Sequence, residues 1–469
     1  MIWLLSCSKT PIVEKQENST TIVIIGGGAS GMATGKRLLE LGLEPIILEA
    51  TDTLGGSGIH AGRFFAVDSS WQYEHNIEDS IDLALSEWQN ITGEEPDQAI
   101  QEFIQNSAQT LDWIAENGGY FENVVADYGA GSIPRIHTLS KDYPHPLHSW
   151  MTDLQPYTHF LETVESIQTT DDEIVIHTNQ TTYSADILVI ATGGFSRNPD
   201  LVSEFENGID NFDWYMEAWP NMMGSSIYWF IQNQWPLMNM NHVGLYAHSV
   251  PDPILGYPEV MIIPALQRSL IVDAHGNRLF NEEMVQSLAL GALYLEQGPF
   301  YAIFDQPLWS GTTMRGMGYN YDPPLEITAT EYAQYTSVLM ADDIRDLATQ
   351  LNIRPDAFGN TIAQYNGFFT EEIDPLGKDL SQTFPIQSSP FYALPIVLSS
   401  AKSFGGAKLS SNHHIPNHPN IYVVGESAGF LGTSAIGWGF SGSISSCYYF
   451  GKKTAETIYV SLSNETSAD

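Results

Sequence analysis

At 469 residues the chain is too long for one ordinary core, so two domains are expected. Its 18 basic residues face 56 acidic ones, and the resulting net charge of −38 repels nucleic acid and anionic lipid headgroups. Two cysteines, Cys7 and Cys447, lie outside any C-x-x-C pattern, which excludes a haem-attachment motif, a cysteine-ligated cluster and a zinc ribbon within the chain.

No uninterrupted apolar stretch reaches transmembrane length. Near the start, after Met1-Ile2-Trp3, Leu4-Leu5-Ser6-Cys7 resembles a bacterial lipobox; a polar run from Ser8 to Thr20 then reads as a flexible tether. A lipid on Cys7 would be the protein's link to a membrane and would place it outside the cytoplasm. Against this stand a missing positive n-region and a very short apolar run, which leave a cytoplasmic location as the alternative. The segment that organises the rest follows. Thr21-Ile22-Val23-Ile24-Ile25 reads as a buried parallel strand, broken by Gly26-Gly27-Gly28-Ala29-Ser30-Gly31. Gly26 permits a tight turn, Gly28 lets the backbone approach a pyrophosphate, and Gly31 lets a helix from about Ala29 to Leu41 pack closely on the strand. A second strand, Pro45 to Leu48, ends at Glu49, whose carboxylate is placed to accept both hydroxyls of an adenosine ribose, as in FAD or NAD.

Leu54 to Gly62 is a second small-residue loop, suited to passing close to a flat ring. Asp97 to Asn117 shows helical periodicity, and residues 128–156, rich in Gly, Pro and His, read as an irregular connection. Phe212 to Tyr246 is dense in aromatic residues; it fits either a core, with Ile227, Phe230 and Ile231 at helical spacing, or a pocket for a planar substrate. Strand-like runs Glu173 to His177 and Ala185 to Ile190 lead into the turn Ala191-Thr192-Gly193-Gly194, and Asn420 to Val424 leads into Gly425-Glu426-Ser427. A helix then runs through Gly451-Lys452-Lys453. His413, His414 and His418, set among Asn and Pro, read as a turn rather than a metal site, and no metal is expected.

Together, Gly26 to Gly31, Glu49, Gly55-Gly56, the Ala-Thr-Gly-Gly turn and the Gly-Glu turn resemble the flavoprotein family of succinate dehydrogenases, soluble fumarate reductases and 3-ketosteroid Δ1-dehydrogenases. Asn106 to Trp113, Gly276 to Glu282 and Pro390 to Ala393 resemble further motifs of that family, so the likeness runs from about Thr21 to Ala455. It implies an α/β fold: a Rossmann-like FAD-binding domain (21–242 with 403–460) and an inserted α+β capping domain (243–402), with 1–20 and 461–469 as leading segment and tail. It implies FAD as cofactor. Gly26, Gly28, Ala29, Ser30 and Gly31 would contact its pyrophosphate, Glu49 and Ala50 its ribose, and Gly55, Gly56 and Ser57 the flavin side. Ala191, Thr192 and Gly193 would meet the cofactor at the sheet edge, Gly425 and Glu426 would sit by the ribityl chain, and Ser441 to Ile444 would aim amides at the pyrimidine edge. Covalent flavin in the succinate dehydrogenase branch uses a histidine at the position of Gly56, so the attachment here is expected to be non-covalent.

The departures from that family point away from fumarate. Gln286 stands where an arginine proton donor is expected, Pro264 and Gln267 match its Glu–Arg relay, and the clamping arginine matches a region reading Ser434-Ala435-Ile436-Gly437. The polar candidates for chemistry are His248, Arg268, Glu282 and Lys402. His248 reads equally as a loop residue, Arg268 as half of an ordinary salt bridge, and Glu282 as a hairpin residue. The expected activity is FAD-dependent oxidation or reduction of a carbon–carbon bond beside a carbonyl or carboxyl, on a small molecule, with an electron donor or acceptor not identified by sequence. The alternative is a flavin-binding lipoprotein for electron transfer or sensing.

Overall fold

In the computed structural model, residues 12–13, 20–93, 95–126, 133–170, 173–316, 325–429 and 442–466 are described. Cys7 and Ser441 lie outside them, as does the 434–437 region.

The strand Ile22–Ile25 is fully buried and is the middle of a five-stranded parallel sheet. Its order is Ile421–Val423, Ile187–Ile190, Ile22–Ile25, Pro45–Leu48 and Thr158–His159. Such continuous runs of Ile, Leu and Val suit a sheet covered on both faces. Helix Ala29–Glu40 leaves the first strand and packs against the C-terminal helix Gly442–Thr466. That last helix extends through what the sequence suggested was a tail from 461. Among the described residues three smaller sheets complete this unit: Ile12–Val13, Thr182–Ala185, Ile174–Thr178 and Val164–Thr169 in one, Arg63–Phe65, Ile136–Leu139 and Phe121–Val125 in another, and the pair Leu237–Met238 and Gly406–Ala407 in the third. Ile12–Val13 pairs in parallel with Thr182 and Tyr183, so part of the expected tether is a strand. Residues 136–139 and 146–154 are likewise strand and helix rather than irregular connection. The strand exists through pairing with segments far away in sequence, and the helix opens with Pro146 at its first turn and a His145 cap.

A second compact unit comprises residues 196–220 and 243–402. Residues 196–220, grouped by sequence with the cofactor domain, belong here because Trp214–Met216 pairs in parallel with Leu398–Ser400. The resulting sheet runs Trp214–Met216, Val397–Ser403, Val243–Pro251, Val260–Ile262, Thr313–Gly316 and Glu326–Thr328. A four-stranded sheet (Leu270–Asp273, Phe300–Phe304, Phe391–Pro395, Leu339–Ala341) packs on helices Ile344–Gln350 and Pro355–Glu371 around Phe358 and Tyr365. The aromatic segment 212–246 is therefore divided between the two units. Trp214, Met216, Ile227, Phe230 and Trp235 are core, while Ile231 is 51% exposed.

One buried histidine makes the first unit acid-sensitive. His137 Nε2 lies 2.6 Å from Ser69 Oγ, and its Nδ1 lies 3.1 Å from the Arg135 carbonyl oxygen, a neutral arrangement with the proton on Nδ1. Burial lowers its pKa from 6.5 to about 4. Below pH 6.5 the unfolded chain therefore binds a proton that the native protein refuses, so this contribution is complete above pH 6.5 and is lost as pH falls towards 4. The loss amounts to about 3 kcal/mol at about 1.4 kcal/mol per pH unit. His137→Gln should flatten that part of the acid limb. Urea midpoints at pH 7 and pH 4.5 that fall equally in both proteins would contradict this.

Candidate functional site

The register of the parallel sheet sets the first site. Ile25 is opposite both Leu48 and Ile190, and Ile190 is opposite Val423, so the chain leaves four neighbouring strands at Gly26, Glu49, Ala191 and Val424 side by side. Ligands of open α/β sheets bind beyond these carboxyl ends. Gly26 turns with φ +101°, and a Cβ there would meet the Ala191 carbonyl oxygen at 2.5 Å. A Cβ on Gly31 would lie 1.9 Å from the Gly26 carbonyl oxygen, so the helix can start here only with glycine. Gly28 differs: a Cβ would meet nothing within 4 Å. The backbone at the start of helix Ala29–Glu40 is thus open on the side where an anion would meet its first amides, and no side chain caps it.

Glu49 closes one flank. Its Oε2 accepts from the Gly27 amide at 2.7 Å, and its Oε1 accepts from Thr51 N and Oγ1 at 2.9 and 2.8 Å. One lone pair on Oε2 is left, so both ribose hydroxyls could be accepted only if the Thr51 hydroxyl turns away. Ala50, next in the chain, and Ser57 are exposed, and Gly28 and Gly55 form a parallel bridge that brings the 55–60 turn alongside Gly28. On the other flank Ser427 Oγ donates to the Gly193 carbonyl at 2.9 Å and lies 3.2 Å from Thr192 Oγ1, tying Ala191–Gly193 to Gly425–Glu426. Sequence reasoning missed Ser427, since nothing local distinguishes it. Ile444 stands in the first turn of the last helix with its side chain in the core, leaving only its amide to meet a ligand.

The second unit holds the other polar cluster. Glu217 follows strand Trp214–Met216, where the Ser400 carbonyl accepts its amide at 2.9 Å. Its Oε2 lies 3.0 Å from His248 Nε2 and accepts from Ser399 Oγ at 2.7 Å. The Tyr246 ring stacks on His248, with centroids 4.7 Å apart. Burial alone would push the Glu217 carboxyl up, but the His248 imidazole, the Ser399 hydroxyl and the nearby Lys402 ammonium outweigh it and hold it below its ordinary range. The structure therefore brings His248 and Lys402 together around an acid absent from the sequence-based candidates.

Glu282 and Arg268 are elsewhere. Glu282 is fully buried; its Oε1 and Oε2 accept from Arg278 Nε and Nη2 at 2.8 Å each, and Lys378 Nζ is 3.1 Å from Oε2. Asp374 pairs with Arg278 Nη1 at 2.7 Å, and Tyr365 lies under both cations. Burial works against the Arg278 charge, yet Glu282 and Asp374 overcome it and raise its pKa. With its oxygens so engaged, Glu282 is corrected from a catalytic candidate to the centre of an internal ion cluster. The Arg268 side chain is exposed, and what the fold uses is its carbonyl, which accepts from Thr383 Oγ1 at 2.7 Å. His413 Nε2 lies 3.2 Å from Glu102 Oε2, and among the described residues no group of three or more His, Cys, Asp or Glu is placed to hold a metal.

A sequence profile described as "FAD binding domain" matches residues 21–442. The chain belongs to this family. Its cofactor is FAD, as the resemblance implied, and the open backbone over Gly28 fits the dinucleotide's pyrophosphate. Among the relatives of this flavoprotein is an NADH:fumarate oxidoreductase of Klebsiella pneumoniae, 24% identical over 92% of this chain, of whose length the chain spans 48%. Another is a vinyl phenol reductase of Lactiplantibacillus plantarum, 24% identical over 94% of this chain and 96% of that protein. The fold is that of the 3-ketosteroid Δ1-dehydrogenase of Sterolibacterium denitrificans, with a TM-score of 0.75, 16% identity, and coverage of 94% of this chain and 99% of the other. No helix among the described residues is long and apolar enough to cross a membrane.

Proposed function

We propose that this FAD-dependent oxidoreductase acts on a carbon–carbon bond activated by a neighbouring carbonyl or carboxyl group, on a substrate less charged than fumarate. The observation that carries this is the state of the arginines in the second unit. Arg197 is paired with Glu259 and Arg278 with Glu282 and Asp374, while Arg268, Arg315, Arg345 and Arg354 are exposed. A dicarboxylate drawn out of water needs cations held for it, and an unpaired buried charge is costly. The sheltered arginines are already committed to the protein's own acids. The vinyl phenol named for one relative has no carboxylate, which agrees with this reading.

When bound, FAD supplies the two-electron exchange with the substrate carbon. The chain's own part is to hold the dinucleotide on the open backbone at Gly28, beside Glu49 and the 191–194 turn, and to present His248, Glu217 and Lys402 as the polar groups for substrate.

Protein reduced with dithionite under anaerobic conditions should be reoxidised by fumarate no faster than in buffer, and quickly by cyclohex-2-enone or 4-vinylphenol. Without cations held for its two carboxylates, fumarate would bring unpaired charge out of water, whereas these neutral alkenes bring none. Rapid turnover with fumarate, abolished by Arg268→Ala, would sink the reading. A reduced protein that no alkene reoxidises would favour the electron-transfer or sensing role instead.

We also propose that Cys7 carries a lipid and tethers the protein outside the cytoplasm, on the strength of Leu4-Leu5-Ser6-Cys7. Radiolabelled fatty acid should enter the wild type and spare Cys7→Ala; equal labelling of both would refute it.

A further inference from the structure

We propose that Thr51 sets the affinity of the dinucleotide seat by giving up its hydrogen bond to Glu49, which turns that carboxylate into a receptor for two adjacent hydroxyl groups. The inference concerns the first unit and FAD alone. It does not depend on which substrate the protein uses, and its test involves none.

The carboxylate has a fixed place. Glu49 N donates to the His159 carbonyl at 2.9 Å, and the Glu49 carbonyl accepts from Glu162 N at 2.9 Å. Two residues on, the Thr51 carbonyl accepts from Leu161 N at 2.9 Å. Residues 49–51 are thus laced to residues 159–162. The half-buried Glu49 side chain turns back to the glycine loop, where its Oε2 accepts from the Gly27 amide at 2.7 Å. A Cβ on Gly27 would lie 3.1 Å from that oxygen and 2.2 Å from Leu54 Cδ2, so the approach depends on glycine.

Each carboxylate oxygen has two lone pairs. On Oε2 the Gly27 amide takes one and leaves one. On Oε1 both are taken, by Thr51 N at 2.9 Å and Thr51 Oγ1 at 2.8 Å. One open lone pair suits one hydroxyl. The Thr51 hydroxyl, however, has a single proton and two acceptors, for the Thr53 carbonyl oxygen also lies 2.8 Å from Oγ1. Rotation about the Cβ–Oγ1 bond moves the proton from Glu49 to Thr53 and displaces no heavy atom. Glu49 then has one open lone pair on each oxygen, while Gly27 N and Thr51 N still hold it. The two neighbouring hydroxyls of FAD's adenosine ribose match that pair, one to each oxygen. The exchange costs affinity. A bond to a charged carboxylate is given up for one to a neutral carbonyl, and charge-assisted bonds are roughly twice as strong. Thr51 therefore steadies Glu49 when no ligand is bound and weakens the hold on FAD.

The test is an equilibrium titration by calorimetry of the full-length protein, freed of flavin, with FAD and with FAD lacking the adenosine 3′-hydroxyl. Thr51→Val keeps the branched shape and the backbone amide but leaves the second lone pair of Oε1 open at all times. It should bind FAD about three- to tenfold more tightly than wild type, which reflects the difference between the two hydrogen bonds. Thr51→Ser keeps the hydroxyl and should bind as wild type does. The 3′-deoxy analogue presents one hydroxyl and needs only the lone pair on Oε2, so wild type and Thr51→Val should bind it alike. Where flavin resists removal, FAD release from the diluted holoprotein gives the same comparison and should be slower from Thr51→Val. A Thr51→Val protein that holds FAD no more tightly than wild type, or that gains equally for both flavins, overturns the inference. Glu49→Ala binding FAD as well as wild type would take Glu49 away from the ribose, and the role of Thr51 with it, while leaving the proposed function untouched.

Discussion

Gly28→Val should yield a folded protein that has lost its flavin, whereas Gly31→Ala should be heavily destabilised. The two residues lie three apart, Gly28 capping helix Ala29–Glu40 and Gly31 in its first turn, and the difference between them is purely spatial. Gly28 has φ −74° and ψ −174°, a conformation open to any residue, and its Cβ direction is empty to 4 Å. A valine there costs the apoprotein almost nothing but fills the space through which a pyrophosphate reaches the amides at the helix start. Gly31 points its missing Cβ at the Gly26 carbonyl oxygen only 1.9 Å away. Backbone cannot yield as a flexible side chain does, so the helix must move off the strand. Overpacking of this kind costs about 1–3 kcal/mol, and more where backbone is the obstacle. Flavin released by acid precipitation measures the first effect, and urea denaturation of the apoproteins measures the second. The wild type should release its flavin in the same assay, since Gly56 offers no side chain for a covalent link. Gly28→Val retaining stoichiometric flavin would show that the dinucleotide does not lie over this loop.

Glu282→Ala should destabilise the protein heavily. The substitution leaves Arg278 and Lys378 buried with only Asp374 to balance them, and removes the acceptor that the Ile271 amide uses at 3.2 Å. Removing one partner of a buried ion pair costs about 3–5 kcal/mol, because the remaining charge stays out of water unpaired. Burial already lowers the Lys378 pKa against the pull of Glu282, so without that carboxylate the lysine is pressed further towards its neutral form. Glu282→Gln, which keeps the shape and removes the charge, should lose a large part of the same stability. Urea midpoints followed by tryptophan fluorescence decide the matter. A Glu282→Ala protein as stable as wild type but unable to turn over substrate would return Glu282 to the catalytic candidates.

The sequence by itself was enough for the dinucleotide site, because that site is local. Strand, glycines, helix, second strand and acid follow one another between Thr21 and Glu49, and each is dictated by short-range demands: β-branched burial, a turn at positive φ, close helix–strand contact. The family, its α/β fold and FAD came from the resemblance that these residues carry together with Gly55-Gly56, the Ala191–Gly194 turn and the Gly425-Glu426 turn. Boundaries within regular segments were also close, except where a single residue interrupts: Asn106 divides the expected 97–117 helix into Gln98–Gln105 and Ser107–Glu116.

Only the tertiary structure decided which polar residues of the second unit meet. Glu217 and His248 are 31 positions apart and Glu217 and Ser399 are 182 apart, and they meet because strands 214–216, 397–403 and 243–251 are neighbours in one sheet. No spacing rule encodes a contact made by sheet order. Glu282 shows the converse. As a charged residue in a family hairpin it reads either as part of that hairpin or as chemistry, and Asp374 and Lys378, some ninety residues later in the chain, complete a neutralised cluster around it. Burial and partner identity determine whether a carboxylate packs or reacts, and both are properties of the folded chain.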